Sequence, residues 1–142
     1  MGQIREGRAE SAEPADAVRV KSKKDPHIRG RWAERIARDF LQSRGLEPVC
    51  ENYRFRGGEI DLIMIDGDTI VFVEVRYRRN REFGSGVESI TDQKQERVIA
   101  TARHYLQHNA SLAHQPCRFD VVAIGNDIQR HDVEWIPDAF DA

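Results

Sequence analysis

The sequence predicts an α/β domain in which helices pack against a mixed central sheet of four or five strands. Two segments carry apolar residues at helical spacing, and runs of β-branched and aliphatic residues lie between and after them. The predicted order is α-β-β-β-α-β-β. This order is typical of one sheet with helices packed on it.

Length and composition indicate a single ordinary core. The chain has 142 residues, of which 39% are hydrophobic and 32% are charged, so we expect one soluble domain. It has no apolar run near the roughly 20 residues of a membrane helix and no apolar signal segment. We therefore predict a cytoplasmic protein with no membrane partner. Cys50 and Cys117 lack metal-ligand spacing and are predicted to be buried and reduced.

Residues 1–28 are predicted to be a disordered, partly basic tail, and residues 29–142 to form the domain. The tail is rich in Glu, Ala, Ser, Lys and Pro and has almost no aliphatic periodicity. Such a segment cannot bury enough surface to offset the entropy of ordering. Its last part, KSKKDPHIR, could lie across a phosphate backbone.

The first helix is predicted over 31–44, because apolar residues recur there at helical spacing. Glu34 lies next to the apolar stripe and not on the far polar side. The simpler interpretation is that it pairs with Arg31 or Arg38 on the neighbouring turn. It could also lean toward acidic residues of the following strands. The stripe consists of Trp32, Ala33, Ile36, Ala37, Phe40 and Leu41.

A β-hairpin is predicted after a first strand over 48–54. Its strands cover 59–65 and 69–77, both rich in β-branched and aliphatic residues. A two-residue loop of Gly67 and Asp68 is favoured, because a type II′ turn prefers glycine first. This loop sets the register of the whole hairpin.

In this register Asp61 lies opposite Glu74, and Glu59 lies opposite Arg76, so three carboxylates and a guanidinium crowd one corner. A loop shifted by one residue would keep the carboxylates on one face, whereas a three-residue loop would separate them. The opposite face would be uniformly apolar. It would hold Ile60, Leu62, Met64, Val71, Val73 and Val75.

This acidic corner has two interpretations that the residues alone weigh about evenly. Opposing side chains lie roughly 5 Å apart, and like charges that close are destabilising unless something compensates. Carboxylate oxygens are ligands that Mg²⁺ or Mn²⁺ selects, which favours a metal site. Alternatively, the acids are solvated residues at a strand end, with Arg76 neutralising Glu59 across the strands.

The second helix is predicted from Thr91, a good N-cap, to His108, with Lys94 in its first turn. His104 and His108 have a spacing that can bind zinc, but no third ligand accompanies them, so we assign them no metal.

A strand is predicted over 117–124, and a short edge strand over 133–136 is predicted to end before Pro137. The segment 83–86 is predicted to be a mobile loop beside the acidic corner.

The net charge of −2 is unevenly spread. Basic residues are concentrated in 19–38 and again after the hairpin, and the acids are concentrated at the C-terminal end. Basic patches of this kind can bind phosphates, although each is also compatible with ordinary solvated side chains. The second patch comprises Arg76, Arg78, Arg79 and Arg81.

Several motifs together resemble the bacterial YraN family over nearly all of 29–140. The resemblance implies the restriction-endonuclease-like fold of the PD-(D/E)XK superfamily, with similarity to archaeal Holliday-junction resolvases. The motifs are Gly30 with Glu34, Asn52, GGEIDLI at 57–63, FVEVRYR at 72–78, Phe83 with Gly84, Lys94, and RFDVV at 118–122.

In that superfamily an Asp on the second strand and a Glu-x-Lys on the third hold the metal and position the attacking water. The resemblance implies these roles for Asp61 and Glu74, with Glu34 as the glutamate of the first helix. Arg76 stands where the lysine is expected, and arginine can stabilise charge but stays protonated, so it is a poor general base. Lys94 could supply an ammonium group or contact a phosphate instead.

The leading hypothesis is a Mg²⁺- or Mn²⁺-dependent endonuclease that acts on branched or structured DNA. A homodimer is implied by analogy alone. One alternative is a nucleic-acid-binding module of the same fold that has lost cleavage, which Arg76 supports, and another is a protein-interaction adaptor. Predicted metal ligands are Asp61, Glu74, Glu34 and Glu59; predicted catalytic residues are Asp61, Glu74, Arg76, Glu34 and Lys94; predicted nucleic-acid contacts are Arg76, Arg78, Arg79, Arg81, Lys94 and Arg31.

Overall fold

A computed structural model describes residues 26–77, 90–125 and 132–142 of the chain. The predicted tail up to residue 25 and the loop at 83–86 lie outside these ranges. So do three of the predicted nucleic-acid contacts, Arg78, Arg79 and Arg81.

Within the described residues, five strands form one mixed sheet in the order β1-β2-β3-β4-β5, and two α-helices accompany it. β1, β2 and β3 are successively antiparallel, β3 and β4 are parallel, and β5 is antiparallel to β4. The predicted α/β class, element order and mixed sheet are confirmed. The elements are α1 Pro26–Ser43, β1 Glu47–Phe55, β2 Gly58–Asp66, β3 Thr69–Tyr77, α2 Asp92–Gln107, a 3₁₀ turn Ala110–Leu112, β4 Cys117–Ile124 and β5 Val133–Phe140.

The two helices cover opposite faces of the sheet, because each packs into a different apolar cluster. Ala33, Ala37 and Leu41 of α1 lie in one cluster with residues of β2, β3 and β4. Val98 and Ala102 of α2 lie in the other, with the alternate residues of the same strands. β3 and β4 are therefore buried on both sides, as parallel neighbours usually are.

The helix α1 begins at Pro26, so residues 26–28 of the predicted tail are helical. Proline suits the first turn of a helix, where its missing N–H would lack a partner in any case. At the other end, Gly45 has φ of 99°. The Leu46 N–H reaches the Leu41 carbonyl at 3.1 Å, which completes a Schellman motif.

The hairpin has the predicted loop and register. Gly67 has φ of 66°, as the first loop residue of a type II′ turn requires. The paired residues run from Asp66 with Thr69 to Leu62 with Val73. The same spacing would next bring Asp61 opposite Glu74, but there the pairing stops.

The predicted uniform apolar face is wrong at Ile60. Ile60 packs in the same cluster as Ile63, three residues on, although strict alternation would separate them. On the neighbouring strand, Cys50 and Tyr53 are also three apart and share that cluster. Asn52, between them, has φ of 52°. Both strands therefore change face at the level of Asn52, which the hydrophobic pattern alone does not reveal.

Two smaller predictions are also corrected. β5 does not end before Pro137 but continues to Phe140. It is an edge strand with irregular pairing at this point, where a residue without an N–H is tolerated. Cys117 is exposed and Cys50 is partly exposed. Cys117 is the first residue of β4, outside both clusters. Over the described ranges, no helix is long and apolar enough to cross a membrane.

Candidate metal centre where two strands part

The candidate site lies where β2 and β3 separate. Beyond Leu62 and Val73, β2 stays paired with β1 while β3 continues beside β4. The Val75 N–H instead donates to Asp61 Oδ2 at 2.8 Å. Because a backbone N–H at such a place needs an acceptor, the carboxylate replaces the missing carbonyl of the partner strand. Asp61 is thus held in the gap between the strands.

Two more carboxylates meet Asp61 at this gap. Glu34 from α1, Glu59 from β2 and Asp61 each present an oxygen, and these atoms all lie within 4.8 Å of one another. The Asn52 side-chain amide donates to Glu34 Oε1 at 3.1 Å and to Glu59 Oε2 at 2.9 Å. One amide therefore holds two acids side by side. We call Glu34, Glu59 and Asp61 the carboxylate triad.

The position of Glu34 decides between the two interpretations left open for it. The guanidinium of Arg38 contacts Glu51 at 2.7 Å and Asp39 at 3.5 Å. Glu34 instead accepts from Asn52, across the gap between α1 and β1. The Glu34 side chain therefore lies toward the strands. It does not form the ion pair with Arg38 that was expected one turn along the helix.

Glu74 lies beside the triad but is not one of its three members. Its side chain is 4% exposed, and its Oε2 lies 3.2 Å from Lys94 Nζ and 3.8 Å from Arg76 Nη1. Its Oε1 is buried and has no hydrogen-bond partner among the described residues. Lys94 reaches Glu74 because the N-cap Thr91 accepts from the Lys94 N–H and fixes the first turn of α2.

The surroundings of these carboxyl groups disfavour their ionised form. Burial, followed by the charges of Glu74 and Glu34, raises the pKa of Asp61 well above its usual value. Burial and the charges of Glu59 and Glu51 raise the pKa of Glu34 to about 7, although the hydrogen bond from Asn52 opposes the shift. Burial also raises the pKa of Glu74, against the lowering effect of Lys94 and Arg76.

These residues fit a divalent cation. The ligand atoms of the triad are all carboxylate oxygens, which Mg²⁺ and Mn²⁺ prefer over soft ligands such as thiolates. The pKa values of Asp61 and Glu34 are raised first by burial and then by neighbouring acids, so both groups lie where an uncompensated negative charge is disfavoured. The buried Oε1 of Glu74, which has no hydrogen-bond partner among the described residues, is a further available oxygen beside the triad.

The structure brings together five of the predicted site residues. Glu34, Glu59, Asp61, Glu74 and Lys94 meet at the gap, and Arg76 borders it through Glu74. Arg31 is exposed on α1.

Sequence reasoning gave Asn52 no role, although it bridges two of the acids. The available signals were its place among the motif residues and the tolerance of asparagine for left-handed backbone.

A family model described as "Uncharacterised protein family UPF0102" matches residues 33–124. A UPF0102 protein of Nitrosococcus oceani is 49% identical over 112 residues, which cover 79% of this chain and 90% of that protein. One from Pseudomonas syringae is 47% identical over 114 residues, covering 80% and 93%. One from Aeromonas hydrophila is 50% identical over 113 residues, covering 79% and 84%.

Proposed function

The chain belongs to the UPF0102 family, which is the YraN family, and from the arrangement of its carboxylates we propose that it is a divalent-metal-dependent endonuclease. The substrate is branched or structured DNA, and the reaction is hydrolysis of a phosphodiester bond. The names of these relatives state no reaction, so the proposal depends on the site itself.

The observation that carries the proposal is the carboxylate triad beside a buried glutamate with a free oxygen. Three acids within 4.8 Å at a strand gap, one of them holding the backbone of the next strand, form a rigid set of oxygen ligands. Glu74 adds an oxygen that no described residue uses.

Glu34, Glu59 and Asp61 would hold Mg²⁺ or Mn²⁺, with Glu74 as a further ligand. When bound, such an ion acts as a Lewis acid that lowers the pKa of water and neutralises charge on phosphate oxygens.

The cations beside Glu74 have complementary roles. Lys94 is 3.2 Å from Glu74 and 38% exposed, so its ammonium group can turn toward a phosphate oxygen without leaving the site. Arg76 is 33% exposed, and its guanidinium can donate two parallel hydrogen bonds to a phosphoryl group. Since arginine stays protonated, it stabilises charge and takes no proton from water.

The first test is calorimetric titration of the full chain with Mn²⁺, followed by incubation with a four-way junction, a flap and a plain duplex. We expect Mn²⁺ binding and Mn²⁺-dependent cleavage of the branched substrates, with both lost in Asp61→Ala and cleavage lost in Glu74→Ala. The exposed Asp39→Ala is the matched control and retains both. Absence of Mn²⁺ binding by the native chain would refute the proposal.

A nucleic-acid-binding module without cleavage is the second candidate, and two ion pairs favour it. Lys94 and Arg76 both approach Oε2 of Glu74, so part of the acidic charge is balanced without an ion. This candidate predicts salt-sensitive binding to the same substrates with no cleavage in Mn²⁺. A protein with neither activity would instead match the adaptor hypothesis.

A further inference from the structure

Arg54 on β1 is a cation at the border of the carboxylate triad. It lies opposite Glu59 across the antiparallel pair of β1 and β2. Its Nη2 atom is 3.6 Å from Glu59 Oε2, the same oxygen that accepts from the Asn52 amide at 2.9 Å. The guanidinium therefore lies next to an acid that we propose as a ligand of the ion.

The contact with Glu59 leaves most of the Arg54 side chain open to solvent. This side chain is 72% exposed, and within the described residues its recorded ion pair is with Glu59 alone. Arg38 and Arg118 are only partly exposed and contact acids at 2.7 Å and 3.0 Å. Because an exposed ion pair at 3.6 Å stabilises a fold little, structural pairing explains Arg38 and Arg118 far better than it explains Arg54.

Arg54 points to the side of the sheet that α1 covers. Its neighbours Tyr53 and Phe55 pack in the cluster on the α2 side, and side chains alternate along a strand. Glu34 also reaches the triad from α1. On the other face, Lys94 of α2 contacts Glu74 at 3.2 Å. Cations therefore border the acids on both faces of the sheet.

The charge of the candidate site favours a cation at this position. Three ionised carboxylates exceed the charge of one divalent ion, so the triad with its ion still repels a phosphodiester. A guanidinium at the border offsets this repulsion, and it can donate two parallel hydrogen bonds to a phosphate. Arg54 can turn from Glu59 to such a phosphate without disturbing the triad, because the Asn52 amide still holds Glu59.

We propose that Arg54 binds a phosphate group of the nucleic-acid strand at the candidate metal centre, on the α1 side of the sheet. The inference rests on the proposed function for the class of substrate, and it specifies a protein group that holds the strand beside Glu59. Arg54 takes no proton, because a guanidinium stays protonated. Its contact exists in the bound substrate as well as during the reaction, so it lowers KM and changes kcat little.

The test measures binding of a fluorescent four-way junction by anisotropy at several salt concentrations, using the full chain with Asp61→Asn so that no cleavage occurs. We expect Arg54→Gln to weaken binding roughly tenfold and to reduce the slope of log affinity against log salt by about one. Arg54→Lys keeps the charge but loses the two parallel donors, so it should lose less affinity and keep the salt slope.

Arg103→Gln is the matched control. Arg103 is an exposed arginine of α2, nine residues after Lys94 and therefore on the opposite side of that helix. We expect its loss to change junction binding by less than about twofold, because it removes only a distant charge.

Calorimetric titration with Mn²⁺ separates binding of the substrate from support of the metal ligands. In the otherwise native chain, Arg54→Gln should keep Mn²⁺ affinity within about threefold of the native value, because its exposed contact with Glu59 is weak. A roughly tenfold loss of Mn²⁺ affinity would overturn the inference, since Arg54 would then act by orienting Glu59.

Absence of junction binding by the Asp61→Asn parent would also overturn the inference, as would equal binding by the parent and Arg54→Gln or an equal loss in Arg103→Gln. Junction binding that depends on Arg54 in a native chain unable to bind Mn²⁺ would refute the proposed function alone. Mn²⁺-dependent cleavage with an unchanged KM in Arg54→Gln would refute only this inference.

Discussion

Two buried carboxylates of the same sheet are treated in opposite ways by their surroundings. Asp120 on β4 is fully buried and accepts hydrogen bonds from Arg118, from Trp135 Nε1 at 3.0 Å and from the Asp138 N–H at 2.9 Å. Glu74 on β3 is 4% exposed but leaves Oε1 without a partner among the described residues. One acid is fully satisfied, and the other is only partly satisfied.

The contrast separates a structural acid from a candidate ligand. Asp120 has a neighbouring guanidinium and two further donors, so its charge is stabilised by the protein alone. Asp61, next to Glu74, has its pKa raised by burial and by neighbouring acids. The Arg-Phe-Asp motif of β4 and the acidic residues of β2 and β3 look equally acidic in the sequence, but their acids have different surroundings. Asp120 of the Arg-Phe-Asp motif joins β4 to β5, whereas the acids of β2 and β3 are the residues that we propose as cation ligands.

Substitution of Asp120 should have the largest effect on stability. Asp120→Ala leaves Trp135 Nε1 and the Asp138 N–H without their acceptor and removes one of the two acids that contact Arg118, and we expect the free energy of unfolding to fall by about 3–5 kcal/mol. Urea denaturation measures it. Asp66→Ala is the control, because Asp66 contacts the same arginine at 3.1 Å but is 45% exposed; it should cost less than ~1 kcal/mol. Similar losses of stability in Asp120→Ala and Asp66→Ala would contradict the view that Asp120 is a buried structural acid.

The pH dependence of the metal-free chain should follow the unsatisfied acids. The pKa of Glu34 rises from 4.5 to about 7 on folding. Between these values the native state binds more protons than the unfolded state, so stability is present at low pH and is lost as pH rises toward about 7. The loss should be on the order of 3 kcal/mol. Denaturation curves at several pH values measure it.

Glu34→Gln should flatten this dependence, whereas the exposed Glu96→Gln should leave it unchanged. A native chain whose stability increases steadily over the same pH range would contradict the prediction.

Asp61→Asn should stabilise the metal-free chain while abolishing the response to metal. Asparagine still offers an oxygen to the Val75 N–H, but it removes a charge that burial and two glutamates oppose. We expect a gain of about 1–2 kcal/mol above neutral pH. Thermal unfolding with and without Mn²⁺ measures both effects, since an ion bound only by the folded state raises the melting temperature. An equal Mn²⁺ shift in the variant would exclude Asp61 as a ligand.

Substitution of Asn52 should have the smallest effect on stability but a clear effect on metal binding. Asn52→Gly keeps the backbone at φ of 52° and removes the amide that bridges Glu34 and Glu59. We expect Mn²⁺ affinity to fall roughly tenfold, as for other residues that orient ligands. Calorimetry measures the affinity. If Asn52→Gly binds Mn²⁺ as the native chain does, the amide does not hold the triad together.

Local sequence patterns predicted the helices, strands and turns, because interactions between residues close in the sequence determine where these begin and end. The hairpin loop followed from Gly67, whose backbone angle few other residues tolerate, and the start of α2 followed from Thr91 as N-cap. The change of face at Asn52 was not predicted. It concerns two adjacent strands at once, and alternation within either strand alone gives no sign of it.

The sequence by itself determined the α/β class, the order of elements, the hairpin register and the concentration of acids near the open end of the hairpin. Only the tertiary structure decided which acids meet: Glu34 arrives from α1, Asn52 from β1 and Lys94 from α2. The physical reason is that turns and periodicity act over a few residues. The distance between side chains on separate elements depends on how those elements pack and on where β2 and β3 part.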